Sequence, residues 1–113
     1  MEHQDAKVLR RAAEIVDQGW CQKALARTAD SGFLSADAAR ETPFHPQAGQ
    51  WCLLGAVMLA HREVTGEMGA YAWSGAYSRA ERVLGEGAVE WNNTPGRTAD
   101  EVATLLRRAA EEA

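Results

Sequence analysis

The chain has 113 residues, of which 46% are hydrophobic and 25% charged, and its formal net charge is −4. This length fits one domain, residues 1–113, because each half alone would be too small to bury a core. Acidic and basic residues are interspersed without a basic stripe, which excludes the phosphate neutralisation typical of nucleic-acid binding. The N-terminus lacks the apolar run of a signal peptide, and no apolar stretch is long enough to span a membrane. We therefore expect a cytoplasmic protein that contacts neither nucleic acid nor membrane.

Helical periodicity dominates the start of the chain. Apolar residues recur at 3.6 spacing from Asp5 to Gln18 and predict a first helix, and Gly19 stands where a left-handed residue would end it. A second, short helix is predicted over residues 20–27. Residues 28–49 contain a turn and the stretch ETPFHPQAG with two prolines and a glycine, so we expect either a loop packed on the body or a mobile functional part. Within this segment, residues 35–40 suit a single helical turn.

The rest of the chain predicts longer helices. Residues 50–64 are apolar on nearly every face, which is typical of a central helix, and Gly55 would let a neighbouring helix approach it closely. A stripe of apolar residues predicts another helix over residues 73–84. A capping box at Thr98 and an i, i+3, i+4, i+7 repeat predict the last one. Because no long segment alternates with period two, the predicted fold class is an all-α single-domain bundle of about five helices.

The two cysteines of the chain each follow a tryptophan, in Trp20-Cys21 and in Trp51-Cys52. Cytoplasmic thiols are kept reduced, which disfavours a disulfide between the two. Our structural interpretation is that each tryptophan fills the space at a helix end, while the cysteine packs behind it as a small apolar residue. All four residues are therefore predicted to be structural.

Two chemical alternatives use the same cysteines. A metal site would draw on Cys21, His45, Cys52 and His61, but neither C-x-x-C nor H-x₃-H spacing is present, so we expect no metal and no other cofactor. A cysteine nucleophile at Cys52 or Cys21 would be activated at a helix N-terminus, with His45 as the base. The apolar residues after Cys52 favour a buried, inert thiol instead, and we expect the protein not to be an enzyme.

The stretch WNNTPGRT precedes the last helix and has two interpretations. In the structural one, Asn92 and Asn93 bind backbone groups while the Pro-Gly turn orients the helix. In the functional one, Trp91 walls a small polar pocket in which Arg97 and the helix N-terminus attract an anion. With two residues of the irregular loop, the candidate binding residues are Trp91, Asn92, Asn93, Arg97, Phe44 and His45.

Three stretches occur in an order that spans nearly the whole chain: GWCQKALA from Gly19, WCLLGA from Trp51 and WNNTPGRTADEVATLL from Trp91. Together they resemble an uncharacterised family, a domain of unknown function found in small bacterial and phage proteins. The resemblance implies a single compact domain but no established activity, cofactor or catalytic residue. In such relatives an aspartate often follows the WN pair, whereas this chain has Asn93 there.

The favoured hypothesis for function is a small non-enzymatic binding protein that acts by contact with a protein partner. One alternative is a phage-type accessory protein that inhibits or sequesters a component of host defence. Another is the cysteine-dependent enzyme described above, and small-ligand sensing at the tryptophan-rich helix ends is a fourth. The alanine-rich stripes suit either a monomer or a homodimer.

Overall fold

The fold is mostly helical with a small antiparallel sheet, and a computed structural model describes residues 3–35, 39–67, 69 and 71–113. In chain order the elements are α1 (Gln4–Gln18), β1 (Ala26–Thr28), a 3-10 helix (Ala39–Phe44), β2 (Ala48–Trp51), α2 (Leu53–Thr65), α3 (Ser74–Leu84), α4 (Ala88–Asn92) and α5 (Ala99–Glu111). The described residues thus contain five α-helices, as many as predicted, although one of them is not a predicted helix.

The helices α1, α3 and α5 confirm their sequence-based predictions. Helix α3 ends at Gly85, whose φ of 82° is left-handed. Helix α5 begins at a complete capping box, in which the Thr98 hydroxyl accepts from the N–H of Glu101 and the Glu101 carboxylate accepts from the N–H of Thr98. Each of these helices carries an amphipathic repeat over several turns, and such a repeat is the most reliable helical signal.

The helix predicted over residues 20–27 is wrong. Trp20 instead forms an isolated bridge with Trp51, and β1 pairs antiparallel with β2, with Arg27 opposite Gln50. Gly19 is extended, with φ of −179°, rather than left-handed as predicted. A Cβ at Gly19 would overlap the carbonyl oxygen of Gly49, so this close approach of two backbones requires glycine. The small sheet therefore corrects the all-α prediction.

Helix α2 begins three residues later than the predicted helix, because Ala48–Trp51 is a strand and Cys52 is the N-cap. The Cys52 Sγ accepts the N–H of Gly55 at 3.3 Å. Gly55 does admit a close neighbour, but that neighbour is the backbone of Leu25, whose carbonyl oxygen a Cβ would overlap. The prediction that another helix approaches Gly55 is wrong.

The core lies mainly between α1 and two helices that pack on it, α5 and α2. Helix α1 makes the most extensive helix contacts, and α2 packs against α1, α3, α4, the 3-10 helix and β2, as expected for a helix surrounded by other elements. The bulkiest fully buried apolar side chains include Leu9, Ile15, Leu53, Val57, Val102 and Leu106. No helix among the described residues has the length and apolar character needed to cross a bilayer.

The irregular segment is only partly described. The 3-10 helix begins at Ala39, and residues 36–38 of the single turn predicted over residues 35–40 lie outside the described residues. The indole Nε1 of Trp51 donates to the carbonyl oxygen of Pro43 at 3.0 Å, within the buried interior. This bond attaches the 3-10 helix to β2 and places Phe44 beside α2.

Candidate functional site

Asn92 is buried and connects three parts of the chain. Its Oδ1 accepts from the Trp20 indole Nε1 at 2.8 Å and from the N–H of Leu53 at 3.0 Å. Its Nδ2 donates to the carbonyl oxygen of Cys21 and to Oδ1 of Asn93, both at 3.2 Å. Both lone pairs and both hydrogens of the amide are thereby used. With 1% of its surface exposed, Asn92 offers no free group to a ligand, which corrects its assignment as a binding residue.

Asn93 belongs to the same hydrogen-bond network and also binds a backbone group. Its Oδ1 also accepts the N–H of Lys23 at 2.8 Å, and Lys23 has a positive φ of 65°. The Gln22 side chain donates to the carbonyl oxygens of Asn92 and Thr94. The two asparagines thus bind backbone groups, as the structural interpretation of WNNTPGRT describes.

Arg97 lies over the Trp91 indole, with Cζ 4.1 Å from the ring centroid. Its Nε donates to the carbonyl oxygen of Trp91 at 3.0 Å, and Nη1 donates to the Glu101 carboxylate at 3.0 Å. The anion that Arg97 binds is therefore a carboxylate of its own chain. Trp91 lines a shallow groove with Val83, Leu84 and Leu105, and the polar anion pocket predicted around Arg97 does not form there.

The two thiols are free, buried and held in structural roles. Burial, and secondarily the nearby Cys52, raises the pKa of Cys21 to about 12, and burial raises the pKa of Cys52 as well. The Cys21 thiol is 3.6 Å from the carbonyl oxygen of Ala24, and Cys52 caps α2. Both remain protonated at neutral pH, and a protonated thiol is a poor nucleophile.

His45 closes the turn before β2. Its Nδ1 accepts the N–H of Gln47 at 3.0 Å, and the described residues show no hydrogen bond between His45 and either cysteine. In the described ranges, no group of three or more histidine, cysteine or acidic side chains is arranged to hold a metal ion. The structure thus places the predicted base and the candidate nucleophiles in separate hydrogen-bonding arrangements.

A cleft of about 620 Å³ opens between α2, the 3-10 helix and the segment that leads into α3. Its volume lies in the range of small-molecule binding sites. Apolar side chains form most of the lining, and four polar side chains join them. The apolar members include Leu25, Phe44, Leu54, Met58, Tyr71 and Trp73, and the polar members are Glu41, His61, Arg62 and Glu67.

Aromatic rings form one wall of this cleft. Tyr71 and Trp73 have centroids 5.8 Å apart at 54°, and Tyr77 supports Trp73 edge-on at 5.7 Å. On the other side, the Arg62 guanidinium lies over the Phe44 ring with Cζ 4.9 Å from the centroid. Tyr71 is 66% exposed, which is unusual for a large side chain next to an apolar cleft. The wall therefore combines ring–ring contacts with an exposed edge at Tyr71.

His61 lies at the floor of the cleft, with 8% of its side chain exposed. Its Nε2 is 3.9 Å from the Glu67 carboxylate, and its Nδ1 is 3.3 Å from the Thr65 hydroxyl. Of the predicted binding residues only Phe44 lines this cleft. The sequence indicated His61 solely as a metal ligand and Trp73 as the first residue of the stripe over residues 73–84, whereas Tyr71 and Glu67 carried no signal.

The fold and the cleft define a small, mostly helical domain with an aromatic-walled cleft. A family of unknown function (DUF6197) matches residues 1–112, and the chain belongs to this family. The match confirms the resemblance to an uncharacterised domain family. Comparisons with curated proteins and with solved structures give no match.

Proposed function

We propose that the protein is a non-enzymatic binding protein of the cytoplasm that acts by contact with a protein partner, as a monomer or a homodimer. The cleft between α2, the 3-10 helix and residues 69 and 71–73 receives a side chain of that partner. The observation that carries this proposal is the apolar cleft of about 620 Å³ with Tyr71 exposed at its edge. Aromatic side chains beside a pocket are the residues that most often dominate the energy of protein interfaces.

The ring contacts of the wall also support a role in binding. Trp73 is held between Tyr71 and Tyr77, so little side-chain freedom remains to be lost when a partner docks. Arg62 and Phe44 are held together on the opposite side by their cation–π contact. A partner would thus meet two preformed surfaces with an apolar space between them.

The cysteine-dependent alternative receives no support from the geometry. The described lining of the cleft contains no cysteine, and burial raises the pKa of both thiols. The phage-type accessory function stays a prediction, because it rests on the family resemblance and on size.

Site-specific photocrosslinking tests the proposal. A benzophenone amino acid replaces Tyr71 in one variant and Lys7, which is exposed on α1 away from the cleft, in a matched control. After irradiation of native cells, the first variant is expected to give an adduct of discrete mass, identified by mass spectrometry, that the Lys7 variant does not give. Adducts of equal yield from both positions, or none from position 71 across growth conditions, would refute the proposal.

A further inference from the structure

The hydrogen bonds of Thr65 determine which nitrogen of His61 carries the proton. The Thr65 hydroxyl has one hydrogen, and its short contact of 2.8 Å to the carbonyl oxygen of His61 uses it. Its lone pairs are left to accept, one from the N–H of Glu67 at 3.0 Å and one from His61 Nδ1 at 3.3 Å. Nδ1 is thus the protonated nitrogen of the neutral ring, and Nε2 carries a lone pair.

Nε2 and the Glu67 carboxylate are consequently two acceptors that face each other. They lie 3.9 Å apart, and neither can donate to the other in the neutral state of the ring. The described residues place no donor on Nε2, although the His61 side chain is more than nine-tenths buried. No buried side-chain nitrogen or oxygen of the described residues lacks a partner, so Nε2 reaches the open cleft, where a donor that enters between the two acceptors can bind both.

We infer that the cleft binds the side chain of a lysine of the partner protein, with its ammonium between His61 Nε2 and Glu67. This inference rests on the proposed function and names the chemistry of its ligand. Because the acceptors are 3.9 Å apart, a nitrogen can lie about 2.9 Å from both, which is the length of a charge-assisted hydrogen bond. The four methylenes of the lysine then lie along the apolar lining, near Leu54, Met58 and Trp73.

The electrostatics of the cleft favour a cation. His61 and Glu67 lie at the C-terminal end of α2, where the helix dipole is negative. Two carboxylates, Glu41 and Glu67, line the cleft against one guanidinium, that of Arg62. The position of that guanidinium over Phe44 also demonstrates that the aromatic lining accommodates a positive group.

The compact shape of the acceptor pair favours lysine over arginine. A lysine ammonium is a point charge with three donors that rotate to suit two acceptors, whereas a guanidinium binds best to the paired oxygens of one carboxylate in its own plane. Here one acceptor is the ring nitrogen of His61 on α2, and the other is the carboxylate of Glu67 in the turn that follows α2.

The probe for a direct test is Nα-acetyl-lysine methylamide, with Nα-acetyl-norleucine methylamide as the uncharged analogue of nearly the same shape. Binding is followed by the ¹⁵N resonances of His61 and by Trp73 fluorescence. We expect saturable binding of the lysine probe, a shift of the Nε2 resonance, and binding of norleucine that is weaker by about tenfold or more. Glu67→Gln should weaken the lysine probe by a similar factor, whereas Glu111→Gln, which removes an exposed charge on α5, should leave it unchanged.

Four results would overturn the inference: no binding of the lysine probe, equal binding of the lysine and norleucine probes, tighter binding of the arginine analogue, or protons on both nitrogens of His61 at neutral pH in the free protein. The outcomes separate from those of the crosslinking test. Lysine binding without an adduct at position 71 refutes the protein partner but supports the cation site. An adduct without lysine binding supports the protein partner but refutes the cation site.

Discussion

Replacement of Asn92 by alanine should cost this domain a large part of its stability. The substitution removes four hydrogen bonds and leaves three partners without their acceptor or donor: the Trp20 indole, the N–H of Leu53 and the carbonyl oxygen of Cys21. The bonds to Leu53 and Cys21 are buried, and a buried polar group left unpaired costs about 1–3 kcal/mol. We therefore expect the free energy of unfolding to fall by about 3–5 kcal/mol, which is exceptional for a single substitution.

Urea denaturation followed by circular dichroism measures this loss. Asn93→Ala is the matched control, because Asn93 is adjacent and has one bond to the backbone N–H of Lys23 and one to the Asn92 amide. Asn93→Ala should lower the free energy of unfolding by about 1 kcal/mol. A loss below about 1 kcal/mol for Asn92→Ala, or equal losses for the two variants, would contradict the role of Asn92 as the link between the N-terminus of α2, α4 and the segment after α1.

Three further predictions follow from single features of the structure. Gly19→Ala should lower the free energy of unfolding by about 2 kcal/mol or more in the same denaturation experiment, because the added Cβ would overlap the Gly49 carbonyl oxygen. Gly69→Ala is the control and should change stability little, since the space around Gly69 is open. Cys21 and Cys52 should react with iodoacetamide at pH 7.5 only as fast as the protein unfolds, since burial raises the pKa of both thiols; native labelling as fast as in urea would contradict this. Thr98→Ala should lower the free energy of unfolding by about 1 kcal/mol, because α5 loses its N-cap. Thermal melting measures this loss, and an unchanged melting temperature would count against the capping box.

The sequence predicted well those elements whose signals are local. Helices α1, α3 and α5 have an apolar repeat over several turns, and a glycine or a capping box marks the end of α3 and the start of α5. The strands had no such signal, because three and four residues are too few to display a period of two. Their pairing depends on the contact of Gly19 with Gly49, thirty residues away in the chain. Local periodicity therefore predicted a helix where long-range contacts formed a sheet.

The candidate site was harder to predict, for a related reason. Asn92 and Arg97 carry hydrogen-bonding groups that suit a ligand, and the sequence cannot show that other parts of the same chain already use them. His61 lies in an apolar helix, where a histidine more often completes a core. Its value as a ligand group appears only when Thr65 fixes its proton and Glu67 lies opposite.

The polar groups at the two ends of α2 have different roles in this domain. At the N-terminus, the N–H of Leu53 donates to the Asn92 amide and the N–H of Gly55 donates to the Cys52 thiol, so these two donors are not available to a ligand. At the C-terminus the last turn carries His61 and Arg62, and the chain then reverses at Gly66, whose φ of 75° directs Glu67 back toward the helix. Polar groups at the N-terminal end form hydrogen bonds within the fold, whereas those at the C-terminal end line an open cleft. Binding is therefore expected at the C-terminal end of the helix, where His61 Nε2 and the Glu67 carboxylate face the cleft, and this is the end that the tryptophan-rich motifs did not indicate.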